Sequence, residues 1–455
     1  MDKRTFLKTA SVLTGGIILS DMIACNSPAK QPATSNEHLS NWAGNLTYST
    51  GNVHYPKTVE EVQDIVKKCD KLRALGSRHA FNTIADSTEN QVSLKEMNKV
   101  VSLDKTANRV TVEAGTRYGD IAPYLDENGY ALANLASLPH ITVTGACATA
   151  THGSGIKNGN LSTSVAAIEF VNAAGDLVTL SKEKDGDKFY GAVVNLGAIG
   201  VITKITLDLI PTFKMTQVVY LNLSMSELKN NFNNIENMGY SVSLFTDWKN
   251  KNINEVWIKS RITGDTAAPV PPELFGAKLA TKNVHPIETE SAENVTDQMN
   301  IPGPWYERMP HFKMGFKPSA GKELQAEYFV PAENAYDAIM AVEQLNEKIS
   351  PHLFITEIRT IHEDEFWMSP CHKQTSVAIH FTLKQETEEV MKLLPLIEEK
   401  LTPFNVKPHW AKLFTLQPSV LQSRYERLGD FKQLIAEYDP KGKFQNEFIT
   451  KNLFG

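Results

Sequence analysis

The chain has 455 residues, of which 42% are apolar and 22% charged, with a formal net charge of −6. That length accommodates two or more domains, the apolar fraction is enough for real cores and excludes a disordered chain, and there is no clustered basic face of the kind nucleic acid requires. The four cysteines, Cys25, Cys69, Cys147 and Cys371, form no CxxC pair and no HExxH occurs; neither a zinc ribbon, a thioredoxin-like redox motif nor any other metal site is expected.

Residues 1–25 read as an export signal rather than as part of the fold. Residues 2–8 (DKRTFLK) make a basic start, residues 9–23 are mostly apolar, and the run ends at Ala24-Cys25. The apolar run is too short to span a bilayer as a stable helix. Lys3-Arg4-Thr5-Phe6-Leu7-Lys8 resembles a twin-arginine signal with Lys in place of the first Arg, and Ile23-Ala24-Cys25 resembles a bacterial lipobox. The expectation is an exported protein held at the cell envelope by lipid on Cys25, with simple cleavage to a soluble periplasmic protein as the alternative. A polar, Pro/Ser/Asn-rich tether over residues 26–40 follows.

Thr58 as N-cap, Glu61 three residues on, and Val59, Val62, Ile65 and Val66 at helical spacing predict a helix. Residues 72–75 read as a short strand followed by the turn Gly76-Ser77-Arg78-His79. Residues 92–94, 100–103 and 109–114 alternate like strands, with a hairpin turn at 104–107. Residues 118–128 are a helix closed by Gly129. The next stretch, residues 130–156 (YALANLASLPHITVTGACATATHGSGI), contains no Asp, Glu, Lys or Arg. Its glycines and small or hydroxylated side chains suit backbone laid close against a buried ligand, with N–H groups and hydroxyls as donors; a pair of buried small-residue strands fits the composition equally. Residues 164–172 and 177–180 form a hairpin, residues 189–194 a helix, and residues 197–209 a long strand.

A second region begins near Met215. Strands are expected over 217–223, 242–246, 255–259, 325–330, 353–361 and 376–383, and helices over 332–348 and 386–399. That order suits an α+β domain with helices on one face of an antiparallel sheet. Glu357 and Arg359 share a face of one strand, and Ser376, Ala378, His380 and Thr382 share a face of another. Residues 408–415 (PHWAKLFT) read as a third such strand, with Trp410, Lys412 and Phe414 on one face. A lone strand Glu/Arg pair or Lys is ordinarily solvated; three such strands, each apolar on its other face, favour a polar-floored cleft. Residues 75–82 (LGSRHAFN) form a tight turn whose backbone N–H groups, with Ser77 and Asn82, can cradle a phosphate, although an ordinary Gly-Ser turn reads the same. No GxxxxGK[ST] or GxGxxG occurs, so neither a Walker nor a Rossmann site is indicated.

Four of these segments, LGSRHAFN at 75–82, NLASLPHITVTG at 134–145, ATATHGSG at 148–155 and LGAIGVIT at 196–203, together resemble the FAD-binding domain of the vanillyl-alcohol-oxidase flavoprotein family. TEIRT at 356–360, IHFTL at 379–383, PHWAKLF at 408–414 and the opening NWAGNLTY at 41–48 are similar to its sugar-alcohol branch, the alditol and xylitol oxidases. The resemblance implies an α+β chain: a two-subdomain, PCMH-type FAD-binding domain over 41–213, a substrate domain over 214–415 with an antiparallel sheet covered by helices, and a C-terminal segment, 416–455, packing back on the FAD domain. It implies FAD attached covalently through His79, with Arg78 and Ala80 where Gly and Ser are commoner, and with His152 as the alternative anchor or a flavin contact. Gly76, Ser77 and Arg78 would cradle the diphosphate, and Ala80, Phe81, Ser137, Thr142, Gly145, Thr149, Thr151, His152, Ile202 and His409 would complete the cofactor contacts.

The implied catalytic groups are Lys412 or His380 as base and Arg359 as the stabiliser of negative charge. Ser137, Glu357, Arg359, Thr382 and Lys412 would bind substrate. The implied reaction oxidises the primary hydroxyl of an alditol, such as xylitol or sorbitol, to the aldose by hydride transfer to flavin N5, with O2 reduced to H2O2. Alternatives are a sugar-1,4-lactone oxidase or dehydrogenase of the same family and a lipid-anchored carbohydrate-binding module without catalysis. No nucleic-acid partner is expected, and contact with a membrane only through Cys25.

Overall fold

The computed structural model describes residues 33–264, 266–315 and 322–455. The export signal, Cys25 and the first part of the tether lie outside them. The chain enters with β1 (Ala33–Asn36) and β2 (Asn52–Tyr55), paired antiparallel with Ser35 opposite Val53. Part of the expected tether is therefore a strand. β2 is paired on its other side with a later strand, and β1 covers the edge left open.

Helix α1 (Val59–Lys68) starts where the capping signal lies: Thr58 Oγ1 accepts from the Glu61 N–H at 3.3 Å. Glu61 reaches back to the Lys57 N–H at 2.7 Å, one residue earlier than in the usual reciprocal box. Val62, Ile65 and Val66 are buried, and α1 returns the chain so that β3 (Arg73–Leu75) and β4 (Gln91–Ser93) run parallel in a sheet ordered β1-β2-β4-β3.

A second sheet contains β5 (Val100–Asp104), β6 (Arg109–Glu113), β7 (Val165–Val171), β8 (Leu177–Ser181) and β9 (Val201–Asp208), antiparallel throughout in the order β5-β6-β9-β7-β8. Helices α2 (Tyr118–Glu127), α3 (Val143–Ala148) and α4 (Lys182–Val193) share its core through Ile121, Leu125, Val143 and Phe189. The uncharged stretch is thus not a pair of long strands: beyond the two-residue strand Tyr130–Ala131 it holds α3, whose first turn closes with the Ala146 N–H on Thr142 O at 3.0 Å. The strand expected from Gly197 begins only at Val201, because Leu196, Gly197 and Gly200 have φ of 55°, 69° and 158° and turn the chain first.

The third sheet is built from β10 (Lys214–Ser224), β11 (Ser241–Thr246), β12 (Asn252–Ile262), β13 (Glu323–Pro331), β14 (Leu353–Ile361) and β15 (Ser376–Lys384). The order is β10-β12-β11-β14-β15-β13, every pair antiparallel, with short strands at both edges. Helices α5 (Leu228–Glu236), α6 (Ala335–Glu343) and α7 (Thr387–Leu401) cover one face. The helix expected over 332–348 breaks after α6, where Leu345 bonds back to Val342 O in a tightened turn and a short helix, Asn346–Ile349, resumes.

Register decides what the sheet offers on each side. Directly opposed residues of an antiparallel pair share a face. Phe245 lies opposite Glu357, Glu357 opposite His380, and His380 opposite Glu327. With a side-chain period of two, Lys259, Arg359, Gln325 and Thr382 join that face. The other face presents Leu244, Ile358, Ile379, Phe381 and Tyr328 to the helices. Helix α8 (Leu428–Tyr438) packs Phe431, Leu434 and Ile435 into the core of the second sheet. Buried Arg73 ties the C-terminal segment down, donating to Leu196 O at 2.9 Å, Gly197 O at 2.8 Å and Phe444 O at 2.6 Å.

Candidate active site

A single cavity of about 1060 Å³ opens between the uncharged stretch and the polar face of the third sheet. It lies at the upper end of the roughly 300–1,000 Å³ of small-molecule sites. One wall is the turn Gly76-Ser77-Arg78-His79-Ala80-Phe81 with Ser137, Thr142, Gly145, Thr149, Thr151, His152 and Ile202. The other is Glu327, Glu357, Arg359, His380 and Thr382 from the sheet, with His409 and Lys412 from the loop after the edge strand Lys407–Pro408. The sequence-derived site residues of the fold line this one space, except Asn82, whose amide is turned to backbone carbonyls instead of the cavity.

Two chain segments are sewn together at the turn. The Phe81 N–H donates to Ala411 O at 2.8 Å, and Asn82 Nδ2 donates to Trp410 O at 2.8 Å and Lys412 O at 2.7 Å. Residues 409–415 are not the expected strand. The His409 N–H bonds Glu327 O, and the next ladder bond runs from Leu413 N–H to Gln325 O. Three residues stand between those bonds where the partner strand has one, so two are in excess and the segment bulges. Trp410 consequently turns away into a core, where its Nε1 donates to Met368 O at 2.7 Å, while Lys412 points into the cavity.

The cofactor wall carries its donors on backbone and hydroxyls. Ser77 Oγ accepts from the Thr142 N–H at 3.1 Å and keeps its own proton to give. Arg78 has φ +65°, and its guanidinium donates outward to Ser40 O at 2.9 Å, so its contribution to the cavity is its backbone. A Cβ on either Gly76 or Gly145 would lie 2.8 Å from the same Thr142 Oγ1. These two glycines make room at the wall. Gly155 serves another purpose, because its Cβ would meet Tyr240 O at 2.5 Å, inside the protein. Gly145→Ala is expected to lower the FAD content of the purified protein severalfold while leaving the circular dichroism spectrum unchanged; full FAD content would show that this wall does not touch the cofactor.

His79 stacks on Trp42 with ring centroids 5.0 Å apart, and neither of its ring nitrogens is bonded to another described residue. Burial, with Lys412 nearby, pushes it down to about 3, so it is a neutral imidazole. His152 is placed differently: Nδ1 is 2.8 Å from Gly153 O and Nε2 3.0 Å from Glu327 Oε1, so both nitrogens are engaged. His409 is also neutral, pushed down to about 3 by burial, and its Nδ1 accepts from the Ala411 N–H at 3.1 Å.

The opposite wall is ionic. Arg359 donates through Nη1 to Ser137 Oγ at 3.1 Å and through Nη2 to Glu327 Oε1 at 3.0 Å, and its Nε lies 3.5 Å from Glu357 Oε1. Burial would raise both carboxyls, but His152 and Arg359 hold Glu327 well below its usual range, and Arg359 and His311 do the same for Glu357. His380 is pushed down to about 3 by burial, and its Nε2 is buried with no hydrogen-bond partner among the described residues. Lys412 Nζ donates to Gln325 Oε1; burial, opposed by Glu327 and Glu323, brings it down to about 8. Sequence reading missed Glu327, Gln325, His311, Lys259 and Trp42. The alternation of Glu323, Gln325 and Glu327 with Leu324, Ala326 and Tyr328 was the available signal for the first two.

A neutral imidazole free at both nitrogens, a wall of backbone and hydroxyl donors relieved by paired glycines, and an orphaned buried His380 Nε2 fit an FAD whose diphosphate needs no lysine. The FAD binding domain family matches residues 51–181, and the D-arabinono-1,4-lactone oxidase family matches residues 317–452. An alditol oxidase of a Streptomyces species is 42% identical over 92% of this chain and 99% of its own. An L-gulono-1,4-lactone dehydrogenase of Mycobacterium tuberculosis is 25% identical over 91% and 98%. Two solved structures share the fold: a cholesterol oxidase from B. sterolicum, with a TM-score of 0.77 over 96% of this chain and 100% of that one at 14% identity, and a xylooligosaccharide oxidase from Myceliophthora thermophila, with 0.68 over 89% and 92% at 15%. With 42% identity along nearly the whole of both chains, the protein belongs to the family of that alditol oxidase, the sugar-alcohol branch of the vanillyl-alcohol-oxidase flavoproteins, and is an FAD-dependent oxidoreductase.

Proposed function

We propose that the protein oxidises the primary hydroxyl of an alditol to the aldose, with O2 as the final acceptor. The observation that carries this reading is the cavity floor, where the Glu357 carboxylate, the Arg359 guanidinium, the Ser137 and Thr382 hydroxyls and the Lys412 amine lie together. A neutral chain of hydroxyls needs such a mixture of donors and acceptors, and every cation there except Lys412 is already matched by a carboxylate. FAD held in the site would supply the two-electron acceptor, with O2 as its oxidant and H2O2 as the by-product. His79 would carry the covalent link: its ring nitrogens have no hydrogen-bond partner among the described residues, whereas both nitrogens of His152 are engaged.

Lys412 takes the proton of the C1 hydroxyl as the hydride leaves that carbon. The residual N–H bond to Gln325 keeps the amine oriented while its lone pair receives the proton. Arg359 opposes negative charge that develops beside it. Glu357, Ser137 and Thr382 bind the remaining hydroxyls. His380 is neutral and serves as a hydrogen-bond partner rather than a cation.

A sugar-1,4-lactone is the second reading, favoured by the match of residues 317–452 to the D-arabinono-1,4-lactone oxidase family. The deciding experiment follows anaerobic bleaching of the purified protein's flavin with xylitol and sorbitol against gulono- and arabinonolactone, after testing whether the yellow colour survives acid precipitation. Faster bleaching by a polyol, acid-stable colour and peroxide formation in air are expected. Bleaching by lactones alone would overturn the substrate, and acid-released flavin would overturn the His79 link. Export and lipidation at Cys25 belong to the same proposal and rest on the N-terminal sequence alone.

A further inference from the structure

Glu357 is an acceptor-only partner for a substrate hydroxyl only if it stays ionised. Of the groups that hold it, His311 reaches the cavity wall and Lys259 lies behind that wall. Lys259, on β12, is 1% exposed. Its Nζ is 2.6 Å from Met309 O, 2.9 Å from Pro310 O and 2.9 Å from His311 Nδ1. His311 Nε2 is 2.6 Å from Glu357 Oε1. The His311 ring is held by edge contacts with Trp257 at 5.1 Å and Phe245 at 5.6 Å, and Phe245 is itself the cross-strand partner of Glu357.

With Glu357 held as a carboxylate by Arg359 and His311, the count of protons fixes the direction of these bonds. Carbonyl oxygens only accept, so two N–H bonds of Lys259 go to Met309 and Pro310 whatever its charge. If Lys259 is an ammonium, its third N–H goes to His311 Nδ1, and the ring proton sits on Nε2. If Lys259 is an amine, its lone pair takes a proton from Nδ1–H, and only an imidazolium then has a second proton for the carboxylate. In both cases Nε2–H points at Glu357, and the Lys259–His311 pair carries one positive charge between them. That charge offsets Glu357, while Arg359 is shared between Glu357 and Glu327. The other charged or titratable groups facing Glu357 are His380 on β15, Glu327 on β13 and Lys412 from its loop.

We propose that Lys259 and His311 are positioning residues that lock Glu357 as an acceptor-only carboxylate, so that the site selects a substrate presenting a hydroxyl donor there. The proposal rests on the alditol reading for the identity of that hydroxyl's owner, but the lock itself is a property of the three side chains. Removing Lys259 frees His311 to put its proton on Nδ1, leaving Nε2 and the carboxylate facing each other as two acceptors. The carboxyl then gains a proton at higher pH than before, because Arg359 alone is left to oppose its burial.

The test is anaerobic stopped-flow titration of the FAD-loaded protein with xylitol, which separates the substrate Kd from the limiting rate of flavin reduction. Loss of one buried charge-assisted partner is worth at least about a tenfold change in affinity. Lys259→Met and His311→Leu are therefore expected to raise Kd by about tenfold or more, with limiting rates within about threefold of the parent. His311→Gln keeps an acceptor toward Lys259 and a donor toward Glu357, and should stay within about threefold in both constants. In Lys259→Met, Kd should also climb as the pH falls below neutral, where the parent stays flat. Unchanged Kd and pH slope in the first two variants, or His311→Gln as impaired as His311→Leu, would overturn the proposal; a merely structural role lowers the melting temperature without moving the pH slope. If no alditol reduces the parent protein but a lactone does, the alditol reading fails and the same titration with that lactone judges the lock.

Discussion

Lys412→Met will lower the limiting rate of anaerobic flavin reduction by xylitol by about 10²–10⁴-fold, the usual contribution of one positioned acid–base group, while the protein still purifies yellow. The substitution nearly preserves the length and apolar body of the side chain. The Nζ bond to Gln325 and the cation over the Phe81 ring, 4.8 Å from its centroid, are lost. The backbone seam is kept, because Asn82 bonds the carbonyls of Trp410 and Lys412 rather than their side chains. The pH profile follows from the same group. A base works when it has lost its proton, and burial brings Lys412 down to about 8, so the reduction rate of the parent should rise with pH through about 8 and then level. The variant should lose that limb. A rise that survives in Lys412→Met would move the base to another group. His380, pushed down to about 3, is already neutral across this range and produces no limb there.

What the sequence made legible, and what it hid, follows from how far apart the interacting groups lie along the chain. Glu357, Arg359, His380 and Thr382 were readable because period two on two apolar-backed strands puts mixed polar residues on one face without help from elsewhere. Lys412 was found through its motif but assigned the wrong local structure: the bulge between the His409 and Leu413 ladder bonds depends on the partner strand β13, which a window on residues 408–415 cannot contain. Glu327 ends a polar alternation with Glu323 and Gln325 in ELQAEYFVP that names no partner, and His152 is 175 residues away. Lys259 looks like a solvated strand lysine until His311, 52 residues later, comes under it. Helix α5 was missed because LKNNFNNIE is rich in asparagine, a weak helix former, although Leu228, Phe232 and Ile235 are its buried stripe. The uncharged stretch lines the cavity, but its composition fitted a ligand wall and a pair of strands equally, since small residues that permit close approach state little preference for helix or strand.

The largest stability change is expected at Glu327. Its carboxylate is 2% exposed and accepts from both Arg359 and His152 at 3.0 Å. Glu327→Leu leaves Arg359 with Glu357 at 3.5 Å and takes from His152 its only charged partner. Breaking one side of a buried ion pair costs about 3–5 kcal/mol, because the surviving charge remains desolvated. Removing both sides costs less, so Glu327→Leu combined with Arg359→Met should unfold at higher urea than Glu327→Leu alone, although it abolishes polyol oxidation. The pH dependence has a definite sign. The folded-state carboxyl lies well below 4.5 despite burial, owing first to His152, with Arg359, so its stabilisation is full above that value and fades as the pH falls toward the folded one. The gap in urea midpoint between parent and Glu327→Leu should accordingly be widest at neutral pH and close in acid. An unchanged midpoint at pH 7, or a double variant no more stable than the single, would show that Glu327 does not hold the ionic wall together, and the orientation of Arg359 toward substrate would then have to come from Ser137 and Glu357 alone.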